Sequence, residues 1–116
     1  MLPPTRVTPT RVTIAEAKVA PLPPGRASAL LLSHGTLELR WYEPTGADNQ
    51  TPHTRDEVYI VASGHGTFIR EAERVPFAPG DALFVAAGEE HRFIDFSEDF
   101  AVWVMFYGPE GGECPK

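Results

Sequence analysis

Three side chains stand out for chemistry they could share: His53 and Glu57, four residues apart, and His91, which follows Gly88-Glu89-Glu90. Two neutral imidazoles and one carboxylate form a mixed donor set that suits one divalent ion of iron, manganese, nickel or zinc. Three protein ligands also leave positions open for water, substrate or dioxygen. Such an ion acts as a Lewis acid or an oxygen activator on a small oxygen-bearing molecule. On a straight strand His53 and Glu57 would lie roughly 13 Å apart, too far for ligand bonds of ~2 Å. A turn must fall between them, and Thr54-Arg55-Asp56 is polar enough to make one. The competing arrangement is a helix capped at Thr51-Pro52 that carries His53 and Glu57 on one face. Against it, Val58-Tyr59-Ile60-Val61 followed by Gly64 and Gly66 favours strand. For His91 the plain alternative is a strand-edge histidine bonded to a backbone carbonyl.

The elements that must position these residues are short. After Gly25 the chain alternates brief apolar runs with polar, glycine and proline punctuation, the pattern of an all-β sandwich or barrel. Strands are predicted at 29–32, 36–42, 57–62, 67–70, 82–86, 91–96 and 100–107, with about eight expected for a closed or double-sheet fold. Ser63-Gly64-His65-Gly66 and Ala87-Gly88-Glu89-Glu90 predict two hairpin turns, one pairing 57–62 with 67–70, the other 82–86 with 91–96. In 36–42, Leu37, Leu39 and Trp41 alternate with Glu38, Arg40 and Tyr42, as a half-buried strand requires. Both faces of 100–107 are apolar, which places that strand at the centre of a sheet. Ahead of the strands, 12–20 can form a short helix stopped by Pro21, Pro23 and Pro24, and residues 1–11 read as an extended or mobile arm.

The same segments resemble the two motifs of small single-domain cupins, G-x5-H-x-H-x3,4-E-x6-G and G-x5-P-x-G-x2-H-x3-N. Glu57 to Gly64 follows the end of the first, and Gly80 to His91 follows the second, with Ala86 in place of proline and Asp95 in place of asparagine. His53 falls on the second histidine of the first motif and Thr51 on the first. A register that makes His53 the first histidine puts Arg55 at the second and brings Glu57 too early. The resemblance implies an all-β double-stranded β-helix, a jelly-roll barrel with a short N-terminal arm or helix. It divides the chain into an arm at 1–24, a cupin domain at 25–109 and a flexible tail at 110–116. It also implies one divalent metal ion (Fe, Mn, Ni or Zn) on His53, Glu57 and His91. Gln50 or Thr51 stands where a fourth ligand is wanted, directly or through water.

A small-molecule ligand would then meet Thr51, Arg55, Tyr59, Phe84, Phe93 and Phe106. The four aromatic residues are core by default and pocket lining only nearest the ion. Arg55 is either a surface turn residue or a fork that clamps an anionic substrate. His34 and His65 read as exposed turn residues, and Glu89 and Glu90 as a solvated turn. Small cupins resembling this chain are often homodimers, and the arm at 1–11 could reach a neighbour. The chemistry is then that of an oxygenase, isomerase or lyase; the alternative is a non-catalytic binding or sensory module.

Composition narrows the remaining classes. The chain has 116 residues, 42% hydrophobic and 22% charged, which fits one globular domain with a core. Ten basic against sixteen acidic residues give a net charge of -6 with no basic stripe, which argues against nucleic acid as a partner. The apolar run ending at Tyr107 is too short to span a membrane. Cys114 is the only cysteine, so no internal disulfide is possible. The first residues, Met1-Leu2-Pro3-Pro4-Thr5-Arg6, carry no apolar run typical of a secretory signal, so a cytoplasmic location is expected.

Overall fold

A computed structural model of the chain describes residues 8–114. The helix α1 (Ile14–Lys18) precedes β1 (Ala29–His34), β2 (Leu37–Tyr42), β3 (Asp56–Ser63), β4 (Gly66–Arg70), β5 (Glu73–Phe77), β6 (Ala82–Val85), β7 (His91–Ile94) and β8 (Ala101–Tyr107). The expected extended arm at 1–11 falls, for residues 1–7, outside the described residues. No helix among the described residues is long and apolar enough to cross a membrane.

The strands form a five-stranded sheet in the order β1-β2-β8-β3-β6 and a three-stranded sheet in the order β5-β4-β7. Every pairing is antiparallel. The jelly-roll architecture is therefore the one expected, with β8 in the middle of its sheet. Tyr42, Tyr59, Val61, Val102 and Val104 of the larger sheet meet Phe68, Phe77 and Phe93 of the smaller one in a single core. Phe93 sits among Tyr59, Phe68 and Phe100 with ring centroids 4.7–4.9 Å apart, the tilted and edge-on spacing that aromatic quadrupoles favour.

The outer face of the larger sheet is covered too. Thr13 caps α1 by accepting from the Glu16 amide at 3.1 Å, and the Glu16 carboxylate accepts from the Thr13 amide at 2.8 Å. Five residues are too few for a stable helix in isolation. Packing holds it instead: Ala17 is buried against Trp41 and Ala101, and Trp41 and Trp103 meet edge to face at 4.9 Å.

Three features depart from expectation. Neither predicted hairpin forms: β3 and β6 pair with each other in the large sheet, while β4 and β7 pair in the small one. Both turns carry the chain from one sheet to the other, because strands buried between two layers gain more from closing a sandwich than from pairing with their sequence neighbours. The strand β5 had no apolar alternation to announce it. It carries Pro76, which is tolerated because β5 is an edge strand. In β2 the face turned to the core is Glu38, Arg40 and Tyr42, whereas Trp41 faces α1. The polar face of that strand thus borders the open end of the barrel.

The first crossing depends on Gly64. Its φ is +86°, and a Cβ there would stand 2.5 Å from the Phe100 Cα. Gly64→Ala is expected to cost more than about 1 kcal/mol, seen as a lower urea midpoint. Gly80→Ala shares the positive φ but meets open space, and should lose less.

Candidate metal centre

Three strand ends bring the expected triad together. Thr54 and Arg55 form a bend, so the chain folds back between His53 and the start of β3, and the helical alternative is excluded. Glu57 lies on β3 opposite Phe106 of β8 and Val85 of β6. His91 opens β7 in the facing sheet, opposite Arg70. The loop that carries His53 is tied to the turn that leads to His91. The Gly88 amide donates to the His53 carbonyl at 2.8 Å, and the Ala87 amide to Asp56 Oδ1 at 2.9 Å. The second Asp56 oxygen accepts from the Glu113 amide at 2.9 Å, and the Gly111 amide donates to the Thr54 carbonyl at 2.6 Å. The beginning of the C-terminal segment therefore braces the same loop.

Ligand atoms of His53, Glu57 and His91 all lie within 4.8 Å of one another. His91 Nε2 is 3.3 Å and His53 Nε2 3.8 Å from Glu57 Oε1. Glu57 and His91 are 1% and 3% exposed, while a third of the His53 side chain faces solvent. His91 Nδ1 stands 3.0 Å from the Glu89 carbonyl, which can only accept, so Nδ1 carries the proton and the neutral ring presents the Nε2 lone pair to Glu57. The carbonyl-bonded histidine and the ligand histidine are thus one and the same: the first contact orients the second nitrogen.

That orientation sets a carboxylate against a lone pair. Glu57 Oε1 and Oε2 and His91 Nε2 are buried without a hydrogen-bond partner. Only a positive charge between them, a proton or a cation, relieves the arrangement, and the residues present therefore fit a bound divalent ion. Without a cation, burial pushes the His91 pKa down, but the Glu57 carboxylate, which a proton on Nε2 would bond, and the Glu89 carbonyl more than reverse it, and the net shift is upward. Burial dominates at His53, against the pull of Glu57, and lowers its pKa. Burial and then the Glu57 charge raise the Tyr59 phenol well above its ordinary range, so it keeps its proton.

A cavity of about 230 Å³ opens on the cluster, lined by Tyr42, Thr51, His53, Glu57, Val104 and Phe106. The Phe106 ring stands edge-on to His53 at 5.0 Å. Thr51 and Phe106 are therefore where a ligand would meet them. Tyr59 is wholly buried, and only its hydroxyl reaches the site, donating to Gln50 Oε1 at 3.0 Å. Arg55 borders an adjoining depression, but its fork is engaged: it donates to the Thr36 carbonyl and to Glu38 Oε2, and lies 5.8 Å over the Phe106 ring.

Two of the expected lining residues are elsewhere. Phe93 is at the centre of the aromatic core. Phe84 is 44% exposed and borders a separate depression with Arg70 and Glu73, because β6 turns Val85 inward and its neighbour outward. Sequence reasoning missed Asp48, a buried carboxylate that accepts from the Tyr42 hydroxyl at 2.6 Å, the Phe93 amide at 2.8 Å and Gln50 Nε2 at 2.9 Å. It lies in a polar loop with no pattern to mark it.

A two-sheet jelly roll with a His-Glu-His cluster between its sheets defines the class of protein, and the comparisons agree. The chain belongs to the Cupin domain family, whose pattern matches residues 38–107. It is 43% identical over 63 residues to an uncharacterized protein of Streptomyces coelicolor, a match covering 54% of this chain and 60% of that protein. The chain thus spans less than two thirds of that relative's length. Among solved structures, KdgF from Halomonas sp. superposes with a TM-score of 0.62 at 19% identity, over 72% of this chain and 78% of that one. A Cupin 2 conserved barrel domain protein from Salinispora arenicola gives 0.59 at 18% identity, over 70% and 74%. At these identities the likeness is one of fold.

In cation-free protein, imidazole NMR titration is expected to place His53 below and His91 above the ordinary 6.5. A raised folded-state value stabilises below the unfolded pKa and is lost as pH rises through the folded one. The urea midpoint of wild type should therefore fall as pH climbs from 6.5 through the raised His91 value, and His91→Gln should lack that fall.

Proposed function

We propose that this chain is a metal-dependent cupin in which His53, Glu57 and His91 hold one divalent cation and a small organic substrate enters the adjoining cavity. The observation that carries the reading is the buried, unpartnered pair of Glu57 oxygens facing His91 Nε2. Leaving such groups unsatisfied costs at least about 1–3 kcal/mol each, and a cation offsets that cost. Two imidazoles and a carboxylate suit iron, manganese, nickel or zinc. When bound, the ion supplies Lewis acidity or oxygen activation, the basis of oxygenase, isomerase or lyase chemistry.

The chain's own residues do the rest. Glu89 holds the His91 ring in one tautomer, and the Gly88–His53 bond keeps the two histidine-bearing segments in register. Val104 and Phe106 give the cavity an apolar wall that keeps water from part of a bound molecule, and Thr51 offers a hydroxyl at its rim. Tyr59 retains its proton and donates it to Gln50 Oε1 at the edge of the site.

Metal analysis after loading and desalting is expected to give one equivalent per chain in wild type. Glu57→Gln and His91→Ala should each weaken binding by about tenfold or more. Unchanged uptake in a variant lacking all three side chains would overturn the assignment. Protein loaded in turn with iron, manganese, nickel and zinc, and offered small diketones, thiols and catechols, should turn over at least one with one metal. Binding without conversion under every loading would establish the non-catalytic module instead.

The proposal includes a homodimer. Leu30 on the edge strand β1 is 47% exposed, apolar surface beside an open strand edge that a second copy would cover. A solution-scattering mass of twice the chain is expected, and a monomeric mass overturns it.

A further inference from the structure

We infer that the side-chain oxygen of Gln50 is a fourth donor to the cation, and that Asp48 is the positioning residue that aims it. The inference rests on the three-residue site proposed above.

An amide side chain can present either its oxygen or its nitrogen, and which one faces a site is decided by its other contacts. For Gln50 the choice is forced. Asp48 Oδ2 lies 2.9 Å from Gln50 Nε2, and an ionised carboxylate can only accept, so the NH2 group belongs on that side. The oxygen must then face the cluster, where it stands 3.2 Å from His53 Nε2. The Tyr59 hydroxyl donates to it at 3.0 Å, which agrees with this orientation and occupies one of its two lone pairs. The other is available.

Asp48 cannot follow Gln50 toward the ion. It is 5% exposed and held by the Tyr42 hydroxyl, the Phe93 amide, and the amide and side chain of Gln50. The Phe93 contact ties it to β7, two residues beyond His91. One carboxylate thus couples the loop that carries Gln50 to the strand that carries His91.

Two of the spacings suit common ligation, and a third, the 3.8 Å from His53 Nε2 to Glu57 Oε1, is wider. Two donors each ~2.1 Å from one ion, at tetrahedral to octahedral angles, stand ~3.0–3.4 Å apart. The Gln50 Oε1 to His53 Nε2 and Glu57 Oε1 to His91 Nε2 separations, 3.2 and 3.3 Å, both fall in that range. A neutral carbonyl oxygen adds no charge. It makes the set two nitrogens and two oxygens, harder than the triad alone, which favours manganese and ferrous iron.

The rival explanation is purely structural: His53 Nε2–H donates to Gln50 Oε1 and no ion is involved. Cobalt(II), whose visible absorption reports coordination number, separates the two. In the intact chain, Gln50→Ala should weaken cobalt binding by about tenfold or more and change the visible spectrum. Gln50→Glu loses the NH2 that Asp48 accepts but keeps an oxygen donor, so it should retain binding and a spectrum of the wild-type coordination number. Asp48→Asn, which no longer forces the amide, should shift the spectrum at unchanged stoichiometry. Wild-type affinity and spectrum in Gln50→Ala overturn the role of Gln50 alone, as does equal loss in Gln50→Ala and Gln50→Glu. Failure of the unaltered protein to bind cobalt overturns the three-residue site as well.

Discussion

The constraint on which the site depends is a carboxylate buried almost completely between two sheets. Glu57 projects from the start of β3 toward the opposite sheet, and neither of its oxygens has a hydrogen-bond donor among the described residues. Its nearest neighbour is an imidazole nitrogen whose proton sits on the far side of the ring, held there by the Glu89 carbonyl. Two electron-rich groups facing each other in a low-dielectric interior cannot be a resting arrangement without positive charge. The site therefore calls for a positive charge at this point, a proton or a cation.

The surrounding structure gives that place its rigidity. Glu57 comes from the five-stranded sheet, His91 from the three-stranded one, and His53 from the loop before β3. Backbone hydrogen bonds at Gly88 and Ala87 lock the loop to the turn ahead of β7. Below, the aromatic cluster around Phe93 holds the two sheets at fixed separation. A change in sheet spacing would move His91 against Glu57, so packing of the core and geometry of the site are one problem.

The apolar wall of the cavity and the charged depression beside it have different origins. Val104 and Phe106 belong to β8, which is apolar on both faces because α1 and the Trp41–Trp103 pair cover its outer side. The adjoining depression is lined by Glu38 and Arg40 of β2, which turn inward and bind each other at 2.8 Å while Arg55 takes the second Glu38 oxygen. This paired charge explains how a strand can bury Arg40 at the mouth of a barrel. It also explains why Arg55 is not a free anion clamp.

Local pattern was enough to determine the strand positions at β2, β3 and β8, the central place of β8 and the three residues of the cluster. Alternation, turn residues and donor chemistry are properties of short stretches of chain. Partnership between strands was not legible. The turns after β3 and β6 look like hairpin turns yet cross between sheets, because strand pairing is decided by which layers close the core. The inward face of β2 was likewise hidden, since both of its faces are buried against something, one against α1 and one against the barrel interior. The orientation of Gln50 and the burial of Asp48 also belong to tertiary structure alone: a polar loop residue acquires a fixed direction only when a distant strand, here β7 through the Phe93 amide, supplies its partner.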